Sequence, residues 1–366
     1  MERISPHQFT MLSAGVLLGT TFFPVAQLAA GAAGRDAWWC VLPAYSLGIP
    51  FGLMIYSLMG KYPGKNLLQI SEITLGKWAG KTIGIIYILI SAYFGALLLS
   101  QVADAFRRSV LPFIPVSVYW GGVILLVILL AWGGIEVFAR FTEIVFPTIV
   151  LGLVATFLLA IPRFEWEEFY PVLGNGLKPV FWGTLKIAPF PMEYILFLAG
   201  VLTFLPAGEQ DKRQLKTGIW RSIIIVGVLN TMVTLTEIMV FGPTETQRLN
   251  YGLLSLGKMI EFAKTFAGVE SIFMLVWMGA MIIKVGALFF MAFWGMQSVF
   301  HIRRQDWKWY FLLGGAFLVL ASLPEGGVEL LTEITYVDDY LILPFTVSWV
   351  LLVWGVERWR KGVSKQ

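Results

Sequence analysis

The stretch AGVLLGTTFFPVAQL, residues 14–28, decides how this chain is read. It is apolar enough to lie in hydrocarbon. Yet Gly15, Gly19 and Pro24 interrupt it, and Thr20 and Thr21 place hydroxyls beside the interruption. Proline lacks an amide donor and clashes with the preceding turn, and glycine raises the backbone cost of a helix while permitting close approach. Inside a bilayer, backbone groups freed by a break are tolerated only where protein, water, an ion or a ligand satisfies them. A spanning helix with a weak middle therefore points to a binding site near residues 19–24. The alternative is structural: Gly15 and Gly19 are four apart, an ordinary small-residue packing spacing, with a mild kink at Pro24.

The rest of the chain makes the membrane setting firm. Of 366 residues, 57% are hydrophobic and only 14% are charged, against about 25% charged in a typical soluble protein. Many apolar runs approach or exceed the roughly 20 residues that cross a bilayer core. With so hydrophobic a chain, the net charge of +4 speaks to orientation and not to nucleic acid. The single cysteine, Cys40, excludes an internal disulfide and a cysteine-based metal cluster. The two histidines, His7 and His301, sit beside expected span ends with no evident partner. Neither a metal site nor a cofactor is expected, and the N-terminus reads as leading directly into a span without a cleavable signal.

Ten apolar runs fall at about 9–32, 37–59, 82–104, 117–134, 141–161, 187–207, 219–242, 269–299, 309–323 and 334–356. With the N-terminus inside, 17 lysines and arginines fall in inner segments and nine in outer ones, Lys284 lying within a span. The positive-inside rule then puts both termini and the loop at 208–218 on the cytoplasmic side, and 162–186 and 324–333 outside. The segment PEGGVELLTEITYVDD after the ninth run, acidic throughout, fits an outer loop.

A second weak run is KIAPFPMEYILFLAGVLTFLPAG, residues 186–208, with Pro189, Pro191, Gly200 and Pro206. Broken helices in corresponding positions of two halves are the sequence pointer to a midplane site in transporter folds. Here they are the first and sixth of ten. The expected fold is thus an all-α polytopic membrane protein, a single domain built as a five-plus-five inverted repeat, with halves at 9–161 and 187–356. The halves do not visibly align in sequence, so the repeat rests on span order.

Three ionisable residues lie deep in expected spans: Glu193 in the sixth, Glu237 in the seventh (MVTLTEIMVF) and Lys284 in the eighth (GAMIIKVGAL). Such groups are costly in a bilayer and usually face a cavity or a partner. They are candidates for a ligand or ion route, and Lys284 could stand in for a bound cation as a fixed positive charge. The competing readings are a solvated interfacial Glu193, an outer-edge Glu237, which is also a candidate partner for Lys284, and a purely structural ion pair at Lys284. Glu143 reads as an interfacial partner of Arg140. Gln27, Asn230 and Thr234 could bind a polar ligand or only join helices. Tyr87, Tyr93 and Tyr194 read as interfacial aromatics. The candidate ligand-binding set is therefore Gly19, Thr20, Thr21, Pro24, Pro191, Glu193 and Gly200, with Glu237 and Lys284 as charge-coupling candidates. Signatures of nucleotide binding, zinc proteolysis and the nucleophile elbow do not occur in the sequence, so a catalytic function is not expected.

An ordered set of segments carries a resemblance. ERISPHQFTML (2–12) runs into the first span, and KYPGKNLLQISEITLGKWAGKTIG (61–84) follows the second. GGIEVFARFTEIVFP (133–147) joins the fourth and fifth, FLPAGEQDKRQLKTGIWRS (204–222) follows the sixth, and YGLLSLGKMIEFAKTFAGVESIFMLVW (251–277) precedes or enters the eighth. Together they resemble the B-subunit permease-like proteins of bacterial spore germinant receptors, in the amino acid–polyamine–organocation superfamily. That resemblance implies the inverted-repeat fold of amino-acid transporters and a setting in the inner membrane of a dormant endospore. It implies an A subunit and a lipoprotein C subunit as partners, and a nutrient ligand such as an amino acid, sugar or nucleoside. Many superfamily relatives have a glycine-rich core in the first span; LLGTTFFPV has one glycine, which departs from that pattern. The second functional class is an autonomous secondary transporter for a small organic solute, with proton coupling as one option.

Overall fold

The computed structural model describes residues 3–19, 25–109, 113–205, 209–259 and 269–363. Among these, the regular structure is helical. In chain order the helices are α1 (Pro6–Leu18), α2 (Val25–Ala33), α3 (Ala37–Ser46), α4 (Gly48–Lys61), α5 (Leu67–Leu75), α6 (Lys77–Ser109), α7 (Val116–Gly133) and α8 (Ile135–Ala160). There follow α9 (Leu177–Lys186), α10 (Pro189–Val201), α11 (Glu209–Thr246), α12 (Gly252–Met259), α13 (Val269–Phe300), α14 (Trp307–Ala321), α15 (Gly327–Val337) and α16 (Leu343–Val363). Eight of the described helical runs are long and apolar enough to cross a bilayer, and Trp307–Ala321 is a shorter apolar helix. One of the eight, Val25–Lys61, contains the turn Gly34–Asp36, where Gly34 takes φ +58°. That turn divides it between the first and second expected spans. With α1 completing the first, the order of ten spans is recovered.

Local chemistry explains the ends. Ser5 and Gln8 form a reciprocal capping box at the start of α1, with Pro6 in the first turn. Asn66 and Gln69 do the same for α5, which ends at Gly76 with φ +93°. Gly242, at φ +71°, precedes Pro243 and bends α11 near its end.

Burial sorts the helices into layers. Every residue of α10 is buried, and most of α13 is enclosed. By contrast α8 presents Ile144, Leu151 and Leu158 outward, and α7 presents Leu125 and Leu129. Exposed apolar faces on such helices suit lipid, where no hydrophobic cost attaches to them. The centre is built around α1 and α13: α1 packs on α10, α11 and α13, and α13 packs on α6 and α10.

The sixth span is divided, and the first is described on either side of its weak middle. The first is described as α1 and α2; Thr20, Thr21 and Pro24 lie outside the described residues, and Gly19 is the last residue described before them. The sixth span divides at Ile187–Ala188, between α9 and α10. It starts ten residues earlier than the sequence suggests, because Lys178 and Lys186 lower the apolarity of α9. The segment 162–186, expected as a loop, thus ends in half a span. The pieces pair like with like: α2 packs on α9, and α1 on α10. Two further expectations are corrected. Of the expected loop at 208–218, residues 209–218 are the start of α11, and the acidic segment at 324–333 enters α15, whose chain continues through a π-helical turn (Asp338–Ile342) into α16.

Candidate functional site

The packing of α1, α10 and α13 brings named side chains together at the centre. Glu193 lies one turn into α10 and is 2% exposed. Lys284 lies at the middle of α13 and is 1% exposed. The two form an ion pair. Asp338, also 1% exposed, opens the π turn between α15 and α16, and its carboxyl faces that of Glu193. A π turn widens the helix by one residue and recurs at functional positions; here it swings an acid inward. The result is two carboxyls facing one ammonium, enclosed in a membrane protein's core.

Gly19 completes the arrangement from α1. Its backbone is helical, at φ −52° and ψ −28°. A Cβ there would stand 2.6 Å from Lys284 Cβ and 3.0 Å from its Cγ. Glycine is required because the lysine stem crosses the end of α1, and not because the backbone adopts a left-handed turn. Gly15, one turn earlier, gives close passage to Thr142 and Ile283, so the packing reading of that spacing also holds.

Sequence reasoning singled out Glu193 and Lys284 separately, and the structure joins them. Pro191 is buried in the first turn of α10, where it packs toward Gly48 at the start of α4. Gly200 is placed elsewhere: it packs on the ring of Trp294, near the far end of α10. Glu237 is 5% exposed and does not meet Lys284; it lies under Gly252, where α11 and α12 approach, with Thr246 Oγ1 donating to its main-chain carbonyl at 3.2 Å. Glu143 accepts a 3.1 Å hydrogen bond from Gln8 Nε2 and stands 4.0 Å from His7, while Arg140 pairs with Glu136. The aromatic reading also changes. Tyr87 is buried and donates to the Leu196 carbonyl of α10 at 2.9 Å, and Tyr93 bonds Glu333.

Asp338 went unflagged although the depth rule that picks out Glu193 applies to it. It lies within the expected tenth span, but TYVDD reads naturally as the end of an acidic loop. Its neighbour Asp339 points the other way and pairs with Lys186, the last residue of α9, at 2.8 Å. That pair borders an open cavity of about 700 Å³ between α2, the end of α9, residues 247–250 and α15. Gln27 of α2 lies on the cavity wall and donates to the Gln247 carbonyl at 3.0 Å.

A divided sixth span and a buried charged centre in an all-helical membrane protein define the class: a fold of the amino-acid transporter type. A solved structure agrees at the level of fold. The crystal structure of MhsT in complex with L-phenylalanine superposes with a TM-score of 0.66 at 12% identity, covering 96% of this chain and 89% of that one. The particular family follows from sequence. Residues 3–327 match the family model described as spore germination protein, and the chain belongs to that family. It is similar to spore germination protein YndE of Bacillus subtilis (strain 168), 26% identical with 97% of this chain and 94% of that one covered. It is likewise similar to spore germination protein KB of the same organism, 24% identical over 90% and 88%. GerQB of Bacillus cereus is 22% identical over 71% and 70%.

Proposed function

We propose that this chain is the nutrient-sensing integral membrane subunit of a spore germinant receptor. It binds a small nutrient, an amino acid, sugar or nucleoside, within the fold and so triggers germination. The observation that carries this reading is family membership across residues 3–327. The ligand acts at or beside the meeting of the two weak spans, where Gly19, Glu193 and Lys284 converge, and Pro191, in the first turn of α10, is assigned to the same site. Thr20, Thr21 and Pro24 are assigned to the same site by their place in the sequence. The partners are an A subunit and a lipoprotein C subunit, and the setting is the inner membrane of the endospore with both termini toward the core. Lys284 fixes a positive charge at the centre, so no sodium ion is needed there.

The test pairs genetics with vesicles. Spores lacking the chain should lose their response to at least one nutrient from a panel of amino acids, sugars and nucleosides, and the wild-type gene should restore it. An unchanged response to the whole panel, in a strain without redundant homologues, would overturn the reading. The transporter alternative draws support from the likeness to MhsT. Substrate-driven, pH-dependent current in vesicles holding the chain alone would favour it; saturable binding without current favours the sensor.

A further inference from the structure

The cavity between α2, α9 and α15 has a chemistry that narrows the ligand. Its wall carries one fully formed ion pair, Lys186 Nζ to Asp339 Oδ2 at 2.8 Å, with side chains 45% and 22% exposed. Around the pair stand neutral polar groups, Gln27, Asn250 and Thr335, and the apolar side chains of Leu28 and Leu331. The two charged residues come from different spans. Lys186 ends α9, the outer piece of the split sixth span, and Asp339 sits in the π turn directly after Asp338.

The geometry points to this cavity as a binding site for a free zwitterionic amino acid, with Lys186 receiving the carboxylate and Asp339 the ammonium. This rests on the nutrient-sensing reading and names the ligand class. A ligand with one charge would exchange the ion pair for a single charged contact and gain little over the solvated pair that it breaks. A ligand with both charges a few ångströms apart exchanges one ion pair for two. A neutral sugar or nucleoside gains nothing from parting the pair. The apolar wall accommodates an aliphatic side chain. Because Asp338 and Asp339 share one π turn, drawing Asp339 away from Lys186 bears directly on the carboxyl that faces Glu193 and Lys284. Binding in the cavity is thereby linked to the buried centre.

The experiment uses the full chain in nanodiscs of phosphatidylglycerol, whose headgroup carries no ammonium. The probe is L-leucine, followed by the other neutral L-amino acids, each read by thermal stabilisation and by equilibrium binding. At least one is expected to bind saturably. 3-Methylbutylamine and 4-methylpentanoate, which each lack one of the two charges of leucine, should compete about 10- to 100-fold more weakly than leucine. Lys186→Met and Asp339→Asn should each weaken binding by a similar factor. The swapped pair Lys186→Asp with Asp339→Lys restores the ion pair and the folded yield but reverses its polarity, and should still fail to bind. Binding retained in both single variants, equal competition by the singly charged analogues, or no binding by any neutral amino acid would overturn the assignment. Loss of leucine binding on adding phosphatidylethanolamine would assign the pair to a lipid headgroup and overturn it as well. The sensor reading fails separately. If amino acids bind here but deletion spores respond normally, the site stands and the receptor role falls; if deletion spores lose only a sugar or nucleoside response, the reverse holds.

Discussion

Glu193 and Glu237 look alike in the sequence, each an acid within a proline- or threonine-bearing apolar span, and the fold treats them differently. Glu193 is held against Lys284 and Asp338 where α1, α10, α13 and the π turn meet. Glu237 is buried as well, yet it has no ion-pair partner among the described residues and lies beneath the backbone of Gly252. Burial alone therefore does not mark the functional acid. What distinguishes Glu193 is that three separate elements were shaped to bring charge to it: a missing side chain at Gly19, a lysine at mid-span and an inserted residue in the tenth span.

The largest effect expected from this contrast is at Lys284. Removing one partner of a buried ion pair strands the other and costs about 3–5 kcal/mol. Lys284→Met should lower the unfolding midpoint strongly in detergent and abolish the nutrient response, whereas Lys284→Arg, which keeps the charge but not its geometry, should leave a partial response. The double change Glu193→Gln with Lys284→Met should regain part of the protein level, since neither charge is then stranded. Full function of Lys284→Met in a sodium-free assay would remove the built-in-cation reading. Recovery by Glu237→Gln in place of Glu193→Gln would erase the distinction between the two acids.

Next in size is the close passage at Gly19. Gly19→Ala puts a methyl group against the lysine stem and is expected to cost about 1–3 kcal/mol, the usual range for overpacking. Gly31→Ala, in α2, meets nothing within 4 Å and is the matched control. Equal stability of the two variants would mean that Lys284 adapts freely and that the centre is not tightly built. Asp338→Asn belongs in the same series. Asp338 is the second acid facing a single ammonium, so losing its charge should be tolerated better than Glu193→Gln, measured by thermal unfolding of both.

These contrasts also show what the sequence could and could not reveal. The ten spans, the weak sixth helix and the family were legible, because hydrophobic run length, proline placement and ordered motifs are local features. Glu193 and Lys284 were legible as misplaced charges. Their pairing was not, since it depends on how α10 and α13 face each other across the core. The start of the sixth span was hidden by Lys178 and Lys186, which are polar in sequence but lie on a helix that packs with α2. Asp338 was hidden because an acidic loop and an acid turned inward by a π turn read the same in one dimension. Tyr87 was mistaken for an interfacial aromatic for a related reason: its acceptor is the Leu196 carbonyl, 109 residues away. Tyr87→Phe should accordingly cost about 0.5–1.5 kcal/mol, seen as a lower unfolding midpoint, whereas an interfacial tyrosine would tolerate the change.

The smallest effect is expected at Glu237, and it is the sharpest test of the contrast. Glutamine matches glutamate in shape and removes the charge, and no base among the described residues would be stranded by the loss. Glu237→Gln should therefore change stability by no more than about 0.5–1 kcal/mol and leave the nutrient response intact. Gly252→Ala probes the same place by shape, because a methyl group there would overlap the Glu237 carboxyl. That variant should be destabilised while Glu237→Gln is not, and combining the two should not relieve the strain, since the glutamine amide fills the same space. If instead Glu237→Gln abolishes the response at normal protein levels, the acid carries function without a paired charge. The central cluster would then be one of two charged stations in the fold, with the second at the approach of α11 to α12.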